Sequence, residues 1–99
     1  MKKGATPTHH FILPFSCEWA KEIEITYAQN GNEVLKKYLQ DCTIEENSIF
    51  TTLSQQETFE FNEDFPVKIQ IRILSEDDVC IVSNILSVSC AGCLSSEVL

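Results

Sequence analysis

A 99-residue chain holds one domain with a single core and is too short for two; with 43% apolar residues and three prolines it has the composition of a folding chain. Seven Lys and Arg against 15 Asp and Glu leave a formal net charge of −8, which argues against a nucleic-acid partner, because phosphate contacts need clustered cations. No window approaches the roughly 18 apolar residues of a membrane span, so no membrane partner is expected.

The charge is unevenly placed. Residues 1–40 carry five Lys against four Glu, whereas residues 41–99 carry only Lys68 and Arg72 against eleven acids, a net of −9. Acid-rich turns keep loops solvated, and the same excess would suit a basic protein partner.

Residues 1–7 read as a flexible polar arm. Lys2 and Lys3 are followed by Thr6, Pro7, Thr8, His9 and His10 and not by an apolar run, so no export signal is read. Five cysteines without an export signal predict reduced thiols in a cytoplasm, and an odd count prevents complete internal pairing.

His9 to Phe15 predicts a short strand with Phe11, Leu13 and Phe15 on one face. Pro14 has no amide proton for a ladder, which places this strand at a sheet edge or marks its end. Ser16 to Lys21 predicts a loop or one helical turn, with Ser16 as its cap and Trp19 closing one end of the core. Glu22 to Gln29 alternates, Ile23, Ile25 and Tyr27 facing in and Glu22, Glu24 and Thr26 facing out. Asn30-Gly31 tolerates positive φ at both positions and predicts a type I′ hairpin into 33–39.

Two more short strands are expected at 41–45 and 48–53, around a turn at Glu46-Asn47. Ser54-Gln55-Gln56-Glu57 is a capping-box pattern and predicts a single helical turn before Phe59 and Phe61. Val67, Ile69, Ile71 and Ile73 then alternate with Lys68, Gln70 and Arg72 as a half-buried strand requires. The acidic turn at 75–78 leads into Val79 to Cys90, where Cys80, Val82, Leu86, Val88 and Cys90 share one parity and Val79, Ile81 and Ile85 the other. A break or bulge near Ser83-Asn84 is expected, after which the run changes partner or sheet. Residues 91–99 have no period and read as a loose tail.

Seven or eight short strands without a long helix predict an all-β fold, an antiparallel immunoglobulin-like sandwich, with a small β-barrel as the alternative. The chemical motifs are sparse. Cys90-Ala91-Gly92-Cys93 has the spacing of two zinc ligands or of a redox pair. It lacks both a second close pair and the α/β context of a redox site, so Cys90 and Cys93 remain weak metal candidates and no cofactor is assigned. Adjacent strand residues point to opposite faces, so His9 and His10 do not share a ligand site and are expected as surface histidines. Glu63-Asp64 and Glu76-Asp77-Asp78 lack the spacing of a calcium loop. No catalytic set is assigned, and a non-enzymatic protein is expected.

The stretches Thr6 to Phe15, Ile25 to Gln29, Leu53 to Phe61, Val67 to Leu74 and Glu97 to Leu99 resemble a family of small prophage-encoded proteins of Firmicutes. The resemblance implies a phage-derived β-sandwich from a neck, tail or baseplate module, working by protein–protein contact or by self-association through strand edges. It further implies residence in the bacterial cytoplasm or in the virion. The chain departs from the family pattern in its cysteines at 17, 80, 90 and 93, and in Asp77-Asp78 where Asp-Gly would give a tighter hairpin. Two other readings are a small acidic inhibitor of a host protein and a metal or redox module at Cys90 and Cys93.

Overall fold

The computed structural model describes residues 1–99. Eight strands are formed: β1 (Thr8–Ile12), β2 (Ala20–Gln29), β3 (Asn32–Tyr38), β4 (Cys42–Glu45), β5 (Ser48–Thr52), β6 (Val67–Ser75), β7 (Cys80–Val82) and β8 (Leu86–Val88). A 3₁₀ turn at Leu39–Asp41 and one short helix, α1 (Gln55–Phe59), complete the elements. A three-stranded sheet, β1-β5-β4, packs on a five-stranded one, β3-β2-β6-β7, in which β8 also pairs with β6. This is the expected all-β sandwich; its sheets keep open edges at β1, β4, β3 and β7, which a closed barrel would lack.

The spine is the antiparallel pair β2·β6, placed side by side with Ile23 opposite Ile73, Ile25 opposite Ile71 and Tyr27 opposite Ile69. All six are buried, and the residues between them face out because successive side chains alternate across a strand. Phe11 and Ile49 cover them from the smaller sheet, with Leu53 just after β5 and Phe61 after α1. Each such aliphatic side chain contributes about 1.5–3 kcal/mol by leaving water. The strand at 67–75 is therefore central in its sheet, with β2 on one side and β7 and β8 on the other.

The turns follow local chemistry. Asn30 and Gly31 both take positive φ, 50° and 78°, as a type I′ hairpin requires. The β6–β7 loop is a three-residue hairpin in which Asp78 takes φ 61°. The Asp78 amide donates to Ser75 O and the Ser75 amide to Val79 O. At α1 the predicted capping box is formed, Ser54 Oγ accepting from the Glu57 amide at 3.1 Å and Glu57 Oε1 from the Ser54 amide at 2.8 Å.

Residues 1–7, read above as an arm, are hydrogen-bonded to three parts of the fold. The Lys3 amide donates to Ala91 O and the Ala91 amide to Met1 O, while Pro7 O accepts from the Leu53 amide. The buried Thr58 hydroxyl accepts from the Gly4 amide and donates to Ala5 O, both at 2.9 Å. Residues 91–99 are all exposed, with the Leu99 amide donating to Gln55 Oε1.

A one-residue bulge divides β7 from β8, as the change of parity requires, but the run does not change partner. Ile81 lies opposite Ile73 and Leu86 opposite Ile69, both on the same edge of β6. The partner remains β6 because the Ser83 side chain fills the gap. Its amide donates to Ile71 O at 2.8 Å, and its hydroxyl accepts from the Ile71 amide at 2.9 Å.

Candidate interaction surface

A few titratable residues, His9, Tyr27, Lys37 and Glu57, meet at the inter-sheet seam. His9 Nδ1 lies 2.6 Å from Tyr27 Oη, so the inward histidine of β1 bonds across to β2 of the other sheet. The expectation of two surface histidines fails for His9, which is half-buried because its parity on β1 matches that of Phe11. His10 points outward, stacks on Phe50 with ring centroids 4.2 Å apart, and places Nε2 2.8 Å from Ser48 Oγ.

Burial, with the Met1 ammonium adding to it, holds the His9 pKa below its ordinary value. Burial likewise pushes the Tyr27 hydroxyl well above its ordinary range, with the Cys42 and Glu57 charges as smaller causes. Close by, Lys37 Nζ sits 2.8 Å from each Glu57 carboxylate oxygen, with only 11% of the lysine side chain exposed. Burial alone would raise the Glu57 carboxyl, but its Lys37 and Ser54 hydrogen bonds hold it below the usual value. The Cys42 thiol is pushed up chiefly by burial, which disfavours the thiolate needed for nucleophilic chemistry. None of the four main grooves is lined by His9, Tyr27, Lys37, Cys42 or Glu57. The arrangement ties the two sheets together through satisfied polar contacts.

All five cysteines are free. Cys90 is buried, with its thiol pushed up by burial, and Cys93 is exposed. No group of three or more His, Cys, Asp or Glu that could hold a metal converges anywhere, so Cys90 and Cys93 gain no further ligands from the fold. Six of the eleven acids of residues 41–99 flank β6. Glu76, Asp77 and Asp78 follow it, the first two sharing a groove with Glu18, whereas Glu60, Glu63 and Asp64 precede it. A nine-residue strand separates these two groups by about 30 Å, so the two do not compose one acidic face.

The outer face of the five-stranded sheet carries paired charges. Arg72 lies opposite Glu24, its Nε donating to Glu24 Oε1 at 3.0 Å, and Lys36 Nζ is 3.5 Å from the other carboxylate oxygen. An open groove of about 700 Å³ lies along this face between Tyr38, Arg72 and Cys80.

The uncompensated feature is the β7–β8 edge. The smaller sheet is narrower than the larger one, and Leu13, Pro14 and Phe15, just after β1, meet β7 across a groove of about 280 Å³ that they share with Ile71, Ile73 and the stretch from Ile81 to Asn84. β8 lies beyond that groove, and only past its end does the N-terminus run alongside, the Met1 ammonium donating to Ser89 O at 2.8 Å. Val82 is 52% exposed, Ile85 62% and Leu86 49%, with Val79, Ile81 and Val88 also exposed. No charged residue occurs between Asp78 and Glu97, although natural edge strands are usually blunted by Lys, Pro or covering loops. Sequence reasoning located the strand and its bulge but not its exposure. The available signal was the uncharged run with apolar residues on both parities, which a half-buried strand does not need.

Comparison with protein-family models, with curated proteins and with solved structures finds no match to the chain. No helix is long and apolar enough to cross a membrane.

Proposed function

We propose that the protein is a non-enzymatic structural or assembly module acting through protein–protein contact, a neck, tail or baseplate type of component from a prophage. The observation that carries this reading is the uncharged, open β7–β8 edge with its exposed apolar residues. Such an edge is a template for strand addition, in which main-chain hydrogen bonds supply affinity and apolar side chains supply fit. The phage assignment rests on the sequence resemblance described above. In this reading the protein is made in the bacterial cytoplasm and is carried in the assembled particle.

Mass spectrometry of particles purified after induction of a lysogen encoding the chain tests the proposal. The expected result is the protein at a fixed ratio to a particle component, with affinity capture of the same component from the lysate. Absence from particles, together with failure to capture any particle component, would refute it.

A further inference from the structure

We propose that the β7–β8 edge pairs with the same edge of a second copy of this chain about a two-fold axis normal to the sheet, joining two five-stranded sheets into one. This rests on the contact reading above and names its partner.

The first support is backbone direction. The Ser75 amide donates to Val79 O and the Ser83 amide to Ile71 O, so the odd positions of β7 bond toward β6. By alternation Cys80 and Val82 direct their amide and carbonyl groups outward. Beyond the bulge, Leu86 and Val88 lie opposite Ile69 and Val67, which share the parity of Ile71, so there the even positions bond inward and Ser87 faces out.

The second is the bulge itself. Two identical, uninterrupted strands related by such an axis can oppose only residues of equal parity, because paired residues must present the same bonding direction. The one-residue shift between β7 and β8 reverses that relation. It makes β7 of one copy complementary to β8 of the other in a register of opposite parity.

Centred on the bulge, this register sets Cys80 opposite Ser87 of the second copy, Ile81 opposite Leu86 and Val82 opposite Ile85. Core-side residues meet core-side residues, since Ile81 and Leu86 share the face of Ile73 and Ile69. Val82 and Ile85 meet on the outer face, where Val82 lies beside Arg72 and Ile85 lines the groove with Lys36 and Lys68. No unlike pair of apolar and charged residues arises.

The third is charge. Two copies of a chain at −8 repel wherever their acids approach, and this edge carries none of the 15. A partner of opposite charge would select a charged surface, whereas an identical copy selects the neutral one.

Light scattering across a concentration series tests the pairing, with variants Val82→Lys, Ile85→Glu and the double variant. All three change side chains already exposed in the single copy. Expected are a wild-type mass of twice 11.2 kDa, at least a tenfold weakening in each single variant, and recovery in the double variant, whose new lysine and carboxylate oppose each other across the axis.

A second measurement uses Ser87→Cys with a copper–phenanthroline oxidant. The new thiol and the Cys80 thiol of the second copy would give up two protons and two electrons to the oxidant and form an intermolecular disulfide. Ser89→Cys, which lies out of register, would trap little.

A monomeric wild type, a dimer unaffected by both single variants, a double variant that stays monomeric, or equal trapping at positions 87 and 89 overturns the proposal. A wild-type monomer that is nonetheless found in particles would remove self-pairing and leave the contact reading standing.

Discussion

His9 and Tyr27 join the two sheets of the sandwich through a 2.6 Å contact between an imidazole nitrogen and a fully buried phenol. A buried hydroxyl without a partner costs about 1–3 kcal/mol, and this contact supplies Tyr27 with one. Tyr27→Phe should lower stability by about 1–2 kcal/mol in denaturant titration, since it leaves His9 half-buried without that partner.

The same pair has a signature in pH. Burial, then the Met1 ammonium, holds the folded His9 pKa below the ordinary 6.5. As pH falls through 6.5 toward the folded value, the unfolded chain gains a proton that the folded chain resists, so stability is lost on acidification. Glu24 and Glu57 are held below the ordinary 4.5 by their cationic partners despite burial; their stabilisation is present above 4.5 and is lost at lower pH. The difference in stability between wild type and His9→Gln should narrow from about pH 7.5 to about pH 5.5, ahead of the carboxylate loss. Urea titrations at matched pH values measure it, and parallel profiles would refute it.

Lys37 and Glu57 test a partly buried ion pair that also belongs to a helix cap. Glu57→Gln removes the carboxylate 2.8 Å from a lysine that is mostly out of water and weakens the bond back to the Ser54 amide. A loss of about 2–4 kcal/mol is expected, larger than for Glu24→Gln on the outer face, where surface pairs contribute about 0–1 kcal/mol. Replacing Lys37 and Glu57 together with apolar residues should cost less than Glu57→Gln alone, because no unpaired charge remains. Thermal melts of the three variants beside wild type give the order.

Asp78 occupies a left-handed conformation, φ 61°, at the third position of the β6–β7 loop, the place where a three-residue hairpin favours glycine. Asp78→Gly should raise stability by about 0.5–1 kcal/mol, seen as a higher midpoint in urea with an unchanged slope.

Thr58 is fully buried, and its hydroxyl serves both Gly4 and Ala5. Thr58→Val keeps the shape and removes both bonds. Hydrogen exchange at the Gly4 amide should accelerate strongly while that at Ile25 and Ile71 changes little, with a total loss of about 1–3 kcal/mol.

Much of this architecture was legible from local pattern. Alternation at Val67, Ile69, Ile71 and Ile73 identified the central strand, Asn30-Gly31 its neighbouring hairpin and Ser54 to Glu57 the helix cap, because each depends on residues a few positions apart. The bulge was visible too, as a change of apolar parity near Ser83. Its consequence was not, since the run was expected to leave β6 and instead stays on it.

What the sequence determined by itself is which side chains share a face and where the chain turns. Only the tertiary structure decided which of those faces is covered. His9 and Lys37 lie at the seam between sheets because β1 and α1 pack over β2 and β3, and Leu86 and Val88 stay exposed because the three-stranded sheet is too narrow to reach them. Burial depends on the width and placement of the opposing layer, a relation between residues distant in the chain, and periodicity along one strand carries no record of it.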